Sequence, residues 1–341
     1  MKILNGLDEI AAFLGVPVPA ELRAVERVYP VRANTYYLAR IDRADPWHDP
    51  IGRQCLPHPD ELRDYDASDD PLAEEEQTVA PHLIRRYYDR AVMVATNRCP
   101  MLCRFCFRKR QWRAGVPEHD LTDDELAAIC AYYRNHPEVR ELLFSGGEPL
   151  MLSNARIRAI LTRLTAVPSL EIIRIGSRAP VTWPERIDAE LADMLGACRG
   201  VWFATHFNHP RELTPEAEAA CTRLVRAGVP VVNQTVLLRG VNDDPEVLEA
   251  LFRGLIRMRV KPLYLFHVDP VKGVRHFATG VARGREVLRY CRPRLSALAV
   301  PTFAIDLPEG GGKVPIQENY CENGRYETIF RSLVEYPEAL D

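Results

Sequence analysis

Between residues 91 and 306, short apolar segments alternate with segments of helical periodicity, and this alternation constrains the fold most. The apolar segments are typical of buried strands: AVMVAT, ELLFSG, EIIRIGS, VWFATHF, PVVNQTVLL, PLYLFHV and PTFAID. Helical segments such as TDDELAAICAYYRNH, PEAEAACTRLVRAG and PEVLEALFRGLIRM lie between them, with polar caps or a closing glycine. Such βαβ units predict a parallel sheet, either a partial or full β/α barrel or an open doubly wound sheet.

Composition narrows the classes of function. The 341 residues carry a net charge of −3, which offers no cationic field, so we expect neither nucleic acid nor membrane as a partner. No apolar run reaches the roughly 20 residues that span a bilayer, and acids interrupt the first segment, MKILNGLDEIAAFLG. A cytoplasmic location is therefore expected. Nine cysteines without an export signal favour thiolate or metal chemistry over disulfides.

Three parts of the chain differ in pattern. Residues 1–80 carry scattered helical signals and end near the acidic run DASDDPLAEEE, which predicts a mostly helical appendage. Residues 81–297 hold most of the β/α alternation. Residues 298–341 form a C-terminal segment that contains the glycine-rich sequence DLPEGGGKVPI.

A cluster of cysteines follows the first predicted strand. In NRCPMLCRFCFRKR, Cys99, Cys103 and Cys106 have the spacing C-x3-C-x2-C. A structural zinc site takes four ligands, whereas a [4Fe–4S] cluster held by three cysteines keeps one iron open for a ligand. We predict such a cluster; zinc with a distant fourth ligand and chance clustering of buried thiols are the alternatives.

This spacing, with an aromatic residue before the last cysteine, resembles the signature of radical S-adenosylmethionine (SAM) enzymes. The resemblance implies a partial (β/α)6 barrel and an open iron that binds SAM. It also implies an electron donor of flavodoxin or ferredoxin type, whose electron releases a 5′-deoxyadenosyl radical. The segment SGGEPL after the second strand resembles the GGE motif of these enzymes. Ser145, Gly146, Gly147 and Glu148 are therefore predicted SAM contacts.

Lys313 ends the glycine run and is one of only five lysines among 44 basic residues. A lysine amine can condense with an aldehyde cofactor, which a guanidinium cannot do. A phosphate-binding P-loop is disfavoured, because the G-x4-G-K-[ST] spacing is missing and Val314 replaces the hydroxyl residue. A solvated loop lysine is the alternative.

The wider pattern, over roughly residues 70 to 320, resembles the lysine 2,3-aminomutase family, whose radical SAM enzymes also carry pyridoxal 5′-phosphate (PLP). DLPEGGGKVPI resembles the PLP-lysine segment, which implies that Lys313 holds PLP. RRYYDR resembles the stretch around the PLP phosphate and ring, which implies the same role for Arg86, Tyr87 and Arg90. Ser177, His206 and Gln234, at the ends of the third to fifth strands, resemble SAM or substrate contacts.

The resemblance also implies how a substrate is held. Arg108 matches the arginine that binds the substrate α-carboxylate, and Asp269 and Asp306 match two aspartates that bind the ε-ammonium of lysine. Two carboxylates at one cavity mouth repel each other unless a cation lies between them, so a basic amino acid is expected. Relatives that act on glutamate replace this acidic pair with basic and amide residues.

The predicted reaction is a 2,3-amino migration, most simply from L-lysine to β-lysine, by a homo-oligomeric isomerase. Arginine or ornithine as substrate, a radical SAM-PLP deaminase or dehydratase, and a non-catalytic iron–sulfur or zinc protein remain alternatives. The cysteines of the family's C-terminal zinc site are missing, since only Cys321 occurs there, so that zinc site is not expected. Glu309 replaces a small residue beside the PLP glycines and is expected to add negative charge near the pocket.

Overall fold

The computed structural model describes residues 1–63, 67–318, 320–322 and 325–335. The last residues of the predicted C-terminal segment, 336–341, lie outside the described residues. The strands are β1 Ile3–Asn5, β2 Arg32–Asn34, β3 Thr78–Ala80, β4 Leu83–Ile84, β5 Arg90–Val94, β6 Glu141–Ser145, β7 Ile172–Gly176, β8 Val201–Thr205, β9 Val231–Leu237, β10 Lys261–His267, β11 Thr302–Leu307, β12 Gly312–Pro315, β13 Cys321–Glu322, β14 Arg325–Glu327 and β15 Leu333–Glu335. The helices are α1 Leu7–Leu14, α2 Leu22–Val28, α3 Thr35–Leu38, α4 Asp123–Asn135, α5 Asn154–Thr165, α6 Ala179–Thr182, α7 Ala189–Gly196, α8 Pro215–Arg226, α9 Pro245–Arg257 and α10 Val281–Cys291.

The central sheet has the order β12-β11-β10-β9-β8-β7-β6-β5-β4-β3 among the described residues. Strands β5 to β11 pair in parallel with their neighbours in the chain, while β3, β4 and β12 pair antiparallel at the two edges. A doubly wound sheet reverses its order at one point, and this sheet does not. The predicted α/β class with a partial barrel is therefore confirmed, with an open rather than closed sheet.

The helices between the strands form where the sequence supplies caps and an apolar face. Thr122 accepts a hydrogen bond from the Glu125 N–H, and Glu125 bonds back to Thr122, which completes a capping box for α4. Thr214 and Asp244 each accept one backbone N–H at the start of α8 and α9, and each is followed by a proline that suits the first helical turn. One face of each helix then packs on the sheet.

The N-terminal part packs directly on the barrel. Leu7, Ile10 and Tyr37 are fully buried and belong to the same continuous core as the strands of the central sheet. Glu61 also links the two parts, because its buried carboxylate binds both Arg104 and Lys109 behind the cysteine loop. The three domain boundaries named above stay a prediction. None of the described helices has both the length and the apolar character needed to cross a membrane.

Candidate active site

A cavity of about 610 Å³ lies against the parallel strands and extends from the first residues of β5 and β6 to the segments that follow the carboxyl ends of the strands. Segments that are far apart in the chain meet there because each follows or belongs to a neighbouring strand. Its wall includes every residue predicted above to hold the cluster, SAM, PLP or substrate: Arg86, Tyr87, Arg90, Cys99, Cys103, Cys106, Arg108, Ser145, Gly146, Gly147, Glu148, Ser177, His206, Gln234, Asp269, Asp306 and Lys313. Their individual roles stay predictions.

The glycine pair after β6 lies against the backbone that leads into the cysteine loop. The Gly147 N–H donates to the Thr96 carbonyl at 2.5 Å, and the Glu148 N–H donates to the Arg98 carbonyl at 2.7 Å. A Cβ atom on Gly147 would lie 2.5 Å from the Arg98 oxygen, so a larger residue would push the two segments apart. The glycines therefore fix the distance between the GGE segment and the loop that carries Cys99.

The thiols of Cys99 and Cys106 are poor candidates for free thiolate nucleophiles. Burial, followed by the neighbouring sulfurs, raises the pKa of Cys99 well above its usual value, and burial together with Cys103 raises the pKa of Cys106. A bound cationic iron centre would offset this penalty, because thiolates ligate it directly. The donor set therefore fits a metal cluster.

Arg178 contacts the cysteine loop and is not among the predicted site residues. Its Nη1 donates to the Cys103 sulfur at 2.9 Å, and its Nε donates to the His206 carbonyl at 3.0 Å. Glu212 holds the other side of the guanidinium at 2.8 Å. The only signal in the sequence is the position of Arg178 next to Ser177, at the end of a strand.

Glu148 and Ser177 line the cavity and also accept hydrogen bonds from backbone N–H groups. The Glu148 carboxylate accepts hydrogen bonds from the N–H groups of Leu150 and Arg178, at 3.0 and 2.9 Å. Burial raises the pKa of Glu148, and the Ser177 hydroxyl opposes that rise. Ser177 Oγ in turn accepts from the Ala179 N–H at 3.0 Å. Both residues are thus held rigidly at the cavity wall.

His206 presents an unused nitrogen to the cavity. Its Nε2 is buried and has no hydrogen-bond partner within the described part of the chain, and its ring lies on Phe105 at 5.3 Å between centroids. Burial, aided by the Arg178 charge, lowers the pKa of His206 to about 3, so the ring is neutral near pH 7. A ligand group can satisfy this nitrogen, which fits SAM or substrate. Gln234 also lines the cavity, but from within β9 rather than from its end as predicted.

Lys313 lies on β12, directly opposite Asp306 on β11. Its Nζ is 3.9 Å from the Asp306 carboxylate and faces the rings of Tyr264 and Phe266, 4.9 and 4.3 Å from their centroids. Its backbone N–H donates to the Tyr87 hydroxyl at 2.8 Å. Burial is the main cause that lowers the pKa of Lys313, which favours a reactive amine.

Arginines surround this end of the cavity. Arg86 lies 3.6 Å from Asp306 and is fixed by Gln77 and by the Leu72 carbonyl. Arg90 stacks on the Tyr87 ring, with its Cζ 3.7 Å from the ring centroid. Together with Lys313 they form a cationic region that suits a phosphate. Arg174, paired with Glu141, also lines this wall and is not among the predicted residues.

Asp269 follows β10 and completes an acidic pair with Asp306. Burial and the neighbouring Asp306 charge raise the pKa of Asp269 to about 7. Lys313 and Arg86 counteract this rise but do not cancel it. A further cation beside Asp269 would therefore be stabilised.

Arg108 lines the cavity, but its guanidinium is already engaged. Its Nη2 and Nε bind the Glu74 carboxylate at 2.7 and 3.0 Å, and both side chains are buried. Burial disfavours the Glu74 charge, but Arg108 and Arg110 outweigh it and lower the pKa of Glu74. Glu74 is not among the predicted site residues. A signal was present in the sequence, because Glu74 lies in the acidic run DASDDPLAEEE and the arginines after Cys106 carry the opposite charge.

Glu309 does not contribute to the cavity wall. Its side chain is exposed, and its backbone N–H donates to the Pro71 carbonyl at 3.1 Å. Its φ of 55° lies in the left-handed region, as do those of Gly310 and Gly312 in the same turn. The expected effect of Glu309 on the pocket charge is therefore not supported by its position.

Known proteins resemble this chain over most of its length. Residues 93–251 match the radical SAM superfamily, and residues 288–333 match the family described as lysine-2,3-aminomutase. The L-lysine 2,3-aminomutase of Clostridium subterminale is 43% identical over 295 residues, which cover 86% of this chain and 70% of the relative. That of Fusobacterium nucleatum is 43% identical over 286 residues, or 84% and 67% of the two chains.

A relative with another substrate in its name is nearly as similar. The glutamate 2,3-aminomutase of Clostridioides difficile is 40% identical over 285 residues, which cover 84% of this chain and 67% of the relative. The radical SAM match supports a [4Fe–4S] cluster and SAM as cofactors. The chain belongs to the lysine 2,3-aminomutase family of radical SAM enzymes and is an isomerase.

Proposed function

We propose that the enzyme moves the α-amino group of L-lysine to Cβ and forms β-lysine, with PLP as a second cofactor. The observation that carries this proposal is the acidic pair of Asp269 and Asp306 beside Lys313, in the same cavity as the three cluster cysteines. Family membership alone leaves the substrate open, because lysine and glutamate enzymes both lie within the family.

The charge around Asp269 favours a cationic substrate side chain. Burial and the Asp306 charge raise the pKa of Asp269. A negatively charged substrate side chain at this end of the cavity would therefore be repelled by both carboxylates. The lysine ε-ammonium would instead relieve the repulsion between them. Arg86 and Lys313 are the cations beside Asp306, at 3.6 and 3.9 Å. A substrate ammonium can take the place of Lys313 Nζ when the Lys313 amine is engaged with PLP.

The opposite end of the substrate would be held by Arg108, whose guanidinium can bind a carboxylate through two parallel hydrogen bonds. Glu74 supplies such a carboxylate in this structure, at 2.7 Å. Substrate binding then requires Glu74 to give up part of this contact. Arg110 lies 3.1 Å from Glu74 and can keep the displaced carboxylate nearby.

The proposed cofactors fit different parts of the cavity. Cys99, Cys103 and Cys106 would hold the cluster, the neutral His206 ring offers Nε2 to SAM or substrate, and Lys313 with Arg86 and Arg90 would hold PLP. Bound SAM supplies a 5′-deoxyadenosyl radical after one-electron reduction, and bound PLP supplies a conjugated ring that stabilises an adjacent radical. An external donor of flavodoxin or ferredoxin type would deliver the electron.

The protein itself contributes binding, orientation and exclusion of water. Phe105, Tyr264 and Phe266 give the cavity apolar walls between its charged ends. Arg108 and the acidic pair would fix the two ends of lysine, so that one hydrogen on Cβ faces the SAM side. Apolar walls also keep water away from reactive species.

The proposal is tested with protein reconstituted anaerobically with iron, sulfide and PLP, then given SAM, dithionite and one amino acid. Lysine, ornithine, arginine and glutamate are compared by product mass and NMR. We expect β-lysine from lysine, at least tenfold slower reaction with glutamate, and no product from Lys313→Arg, which keeps the charge but has no amine to condense. Asp306→Asn is expected to raise KM for lysine at least tenfold. A faster reaction with glutamate, or release of ammonia from lysine, would contradict the proposal.

A further inference from the structure

His82, His119 and Glu125 form a compact cluster outside the cavity wall. His82 Nε2 lies 3.2 Å from one Glu125 oxygen, and His119 Nε2 lies 3.1 Å from the other. The two imidazole rings are stacked, 4.4 Å apart and inclined by 15°. One ligand atom from each residue lies within 4.8 Å of the other two, which is close enough to share one metal ion.

Hydrogen bonds to neighbouring residues fix the Glu125 carboxylate and the backbone of His119. The Glu125 carboxylate accepts from the Thr122 N–H at 2.8 Å, as part of the cap of α4. The His119 N–H donates to the Asn97 amide oxygen at 2.8 Å, and the Asn97 N–H donates back to the His119 carbonyl at 3.2 Å. The ligand atoms therefore converge without further ordering of the chain, which lowers the entropic cost of binding a metal.

His82 occupies a backbone conformation that favours glycine. It lies with Pro81 in the turn between β3 and β4, and its φ is 59°. A left-handed φ is strained for an L-residue with a Cβ atom, and glycine or asparagine is usual at such a turn position. Histidine, with asparagine and aspartate, is among the non-glycine residues found there most often. The turn places the His82 imidazole against a second imidazole and a carboxylate.

The three groups have the chemistry of a zinc site. Zinc in proteins is commonly bound by imidazole nitrogens and carboxylate oxygens. Here two imidazoles and one carboxylate would supply three ligands, and water would supply the fourth. The side chains are 33, 36 and 21% exposed for His82, His119 and Glu125, so an ion can enter from solvent.

We propose that His82, His119 and Glu125 bind a divalent transition-metal ion, with zinc as the best match. The site joins the β3–β4 turn with His82, the loop before α4 with His119, and the first turn of α4 with Glu125. The backbone of His119 is in turn hydrogen-bonded to Asn97, two residues before the cluster cysteine Cys99. The Val94 N–H also donates to the His82 carbonyl at 2.9 Å, which ties the turn to β5. A bound ion would therefore brace the base of the cysteine loop without entering the cavity.

The test uses the reconstituted holoenzyme, so that iron already occupies the cluster cysteines. After brief EDTA treatment and desalting, the protein is titrated with zinc, and metal per chain is measured by mass spectrometry together with Tm. His82→Gly and His119→Gln are compared with the parent. His82→Gly suits the backbone of the turn, so its fold is expected to persist. His48→Gln is the control, because His48 pairs with the Asp45 carboxylate at 2.8 Å and lies outside the cluster of three.

We expect the parent and His48→Gln to bind one more zinc per chain than either cluster variant. Zinc should raise Tm by a few degrees in the first two proteins and leave it unchanged in the cluster variants. Iron content is expected to be the same in all four. Equal zinc binding by the parent and both cluster variants, or no zinc retained by the parent, would overturn the proposal.

Discussion

Glu74 and Arg108 form a two-point ion pair in the cavity wall, with Nη2–Oε1 and Nε–Oε2 distances of 2.7 and 3.0 Å. If Arg108 binds the substrate carboxylate, Glu74 competes with the substrate. We therefore expect Glu74→Gln to lower KM for lysine several-fold, with little change in kcat. Loss of the Glu74 charge leaves the buried Arg108 guanidinium without its partner and should also reduce the free energy of unfolding by about 3–5 kcal/mol, measured in urea.

Glu75→Gln is a matched control for this experiment. Glu75 also binds Arg110, at 3.3 Å, but its side chain is 77% exposed and it does not contact Arg108. Exposed ion pairs contribute about 0–1 kcal/mol, so neither KM nor stability should change much. A higher KM in Glu74→Gln than in the parent would mean that Glu74 assists the substrate instead of competing with it.

The pH dependence of lysine binding should follow the ionisation of Asp269. Burial and Asp306 raise the pKa of Asp269 to about 7, so the carboxylate is mostly protonated below that pH. Because the ammonium needs the ionised form, kcat/KM for lysine should increase about tenfold per pH unit below pH 7 and level off above it. Steady-state rates between pH 6 and 9 measure this profile. In Asp269→Asn this increase in kcat/KM with pH should be absent. If the increase persists, the group whose ionisation controls kcat/KM is not Asp269.

The stability of the free protein should show the opposite dependence on Asp269. The pKa of this group is higher in the folded than in the unfolded chain, so the folded state binds more protons between about pH 4 and 7. Its contribution to stability is therefore present at low pH and is lost as the pH rises through 7. We expect Asp269→Asn to raise Tm most at pH 8, and the effect should shrink steadily as the pH is lowered from 7 towards 4.

Gly147→Ala should impair the iron–sulfur site. The added methyl group would lie 2.5 Å from the Arg98 carbonyl oxygen and 2.8 Å from the Asn97 carbonyl carbon, so the cysteine loop must move. We expect at least a two-fold loss of iron and sulfide per chain after reconstitution. Gly280→Ala is the control, since its Cβ would meet nothing within 4 Å and its φ is −75°. Full iron content in Gly147→Ala would show that the close approach is not required.

Glu309→Gly should stabilise the fold. Relief of the strain at the left-handed φ of 55° should stabilise the folded chain by about 1 kcal/mol. The greater conformational entropy of glycine in the unfolded chain offsets part of this gain. Urea unfolding of Glu309→Gly and Glu309→Ala separates the backbone effect from the loss of charge, because alanine keeps the Cβ atom. KM for lysine should be unchanged in both, since the Glu309 side chain is exposed. A changed KM would show that the Glu309 charge does influence the pocket.

The sequence allowed the prediction of the seven parallel strands β5 to β11, the β/α order and many residues of the cavity, because short contiguous segments define each of them. Apolar strand segments are contiguous, and Cys99, Gly147 and Lys313 occur in short motifs. Contacts between segments that are distant in the chain could not be predicted in the same way. Arg178 reaches Cys103 from 75 residues away and Glu74 reaches Arg108 from 34, and in both cases the partner depends on packing. The position of Gln234 within β9 also depends on how far that strand extends, which periodicity does not define.

The most direct test of the account follows the nitrogen of the substrate. Reconstituted enzyme is incubated with SAM, PLP, dithionite and L-lysine labelled with ¹⁵N at the α-amino group, and the product is examined by NMR. The account predicts β-lysine with ¹⁵N on Cβ and no free labelled ammonium. Labelled ammonium without β-lysine, or β-glutamate formation from glutamate in preference to any reaction of lysine, would contradict it.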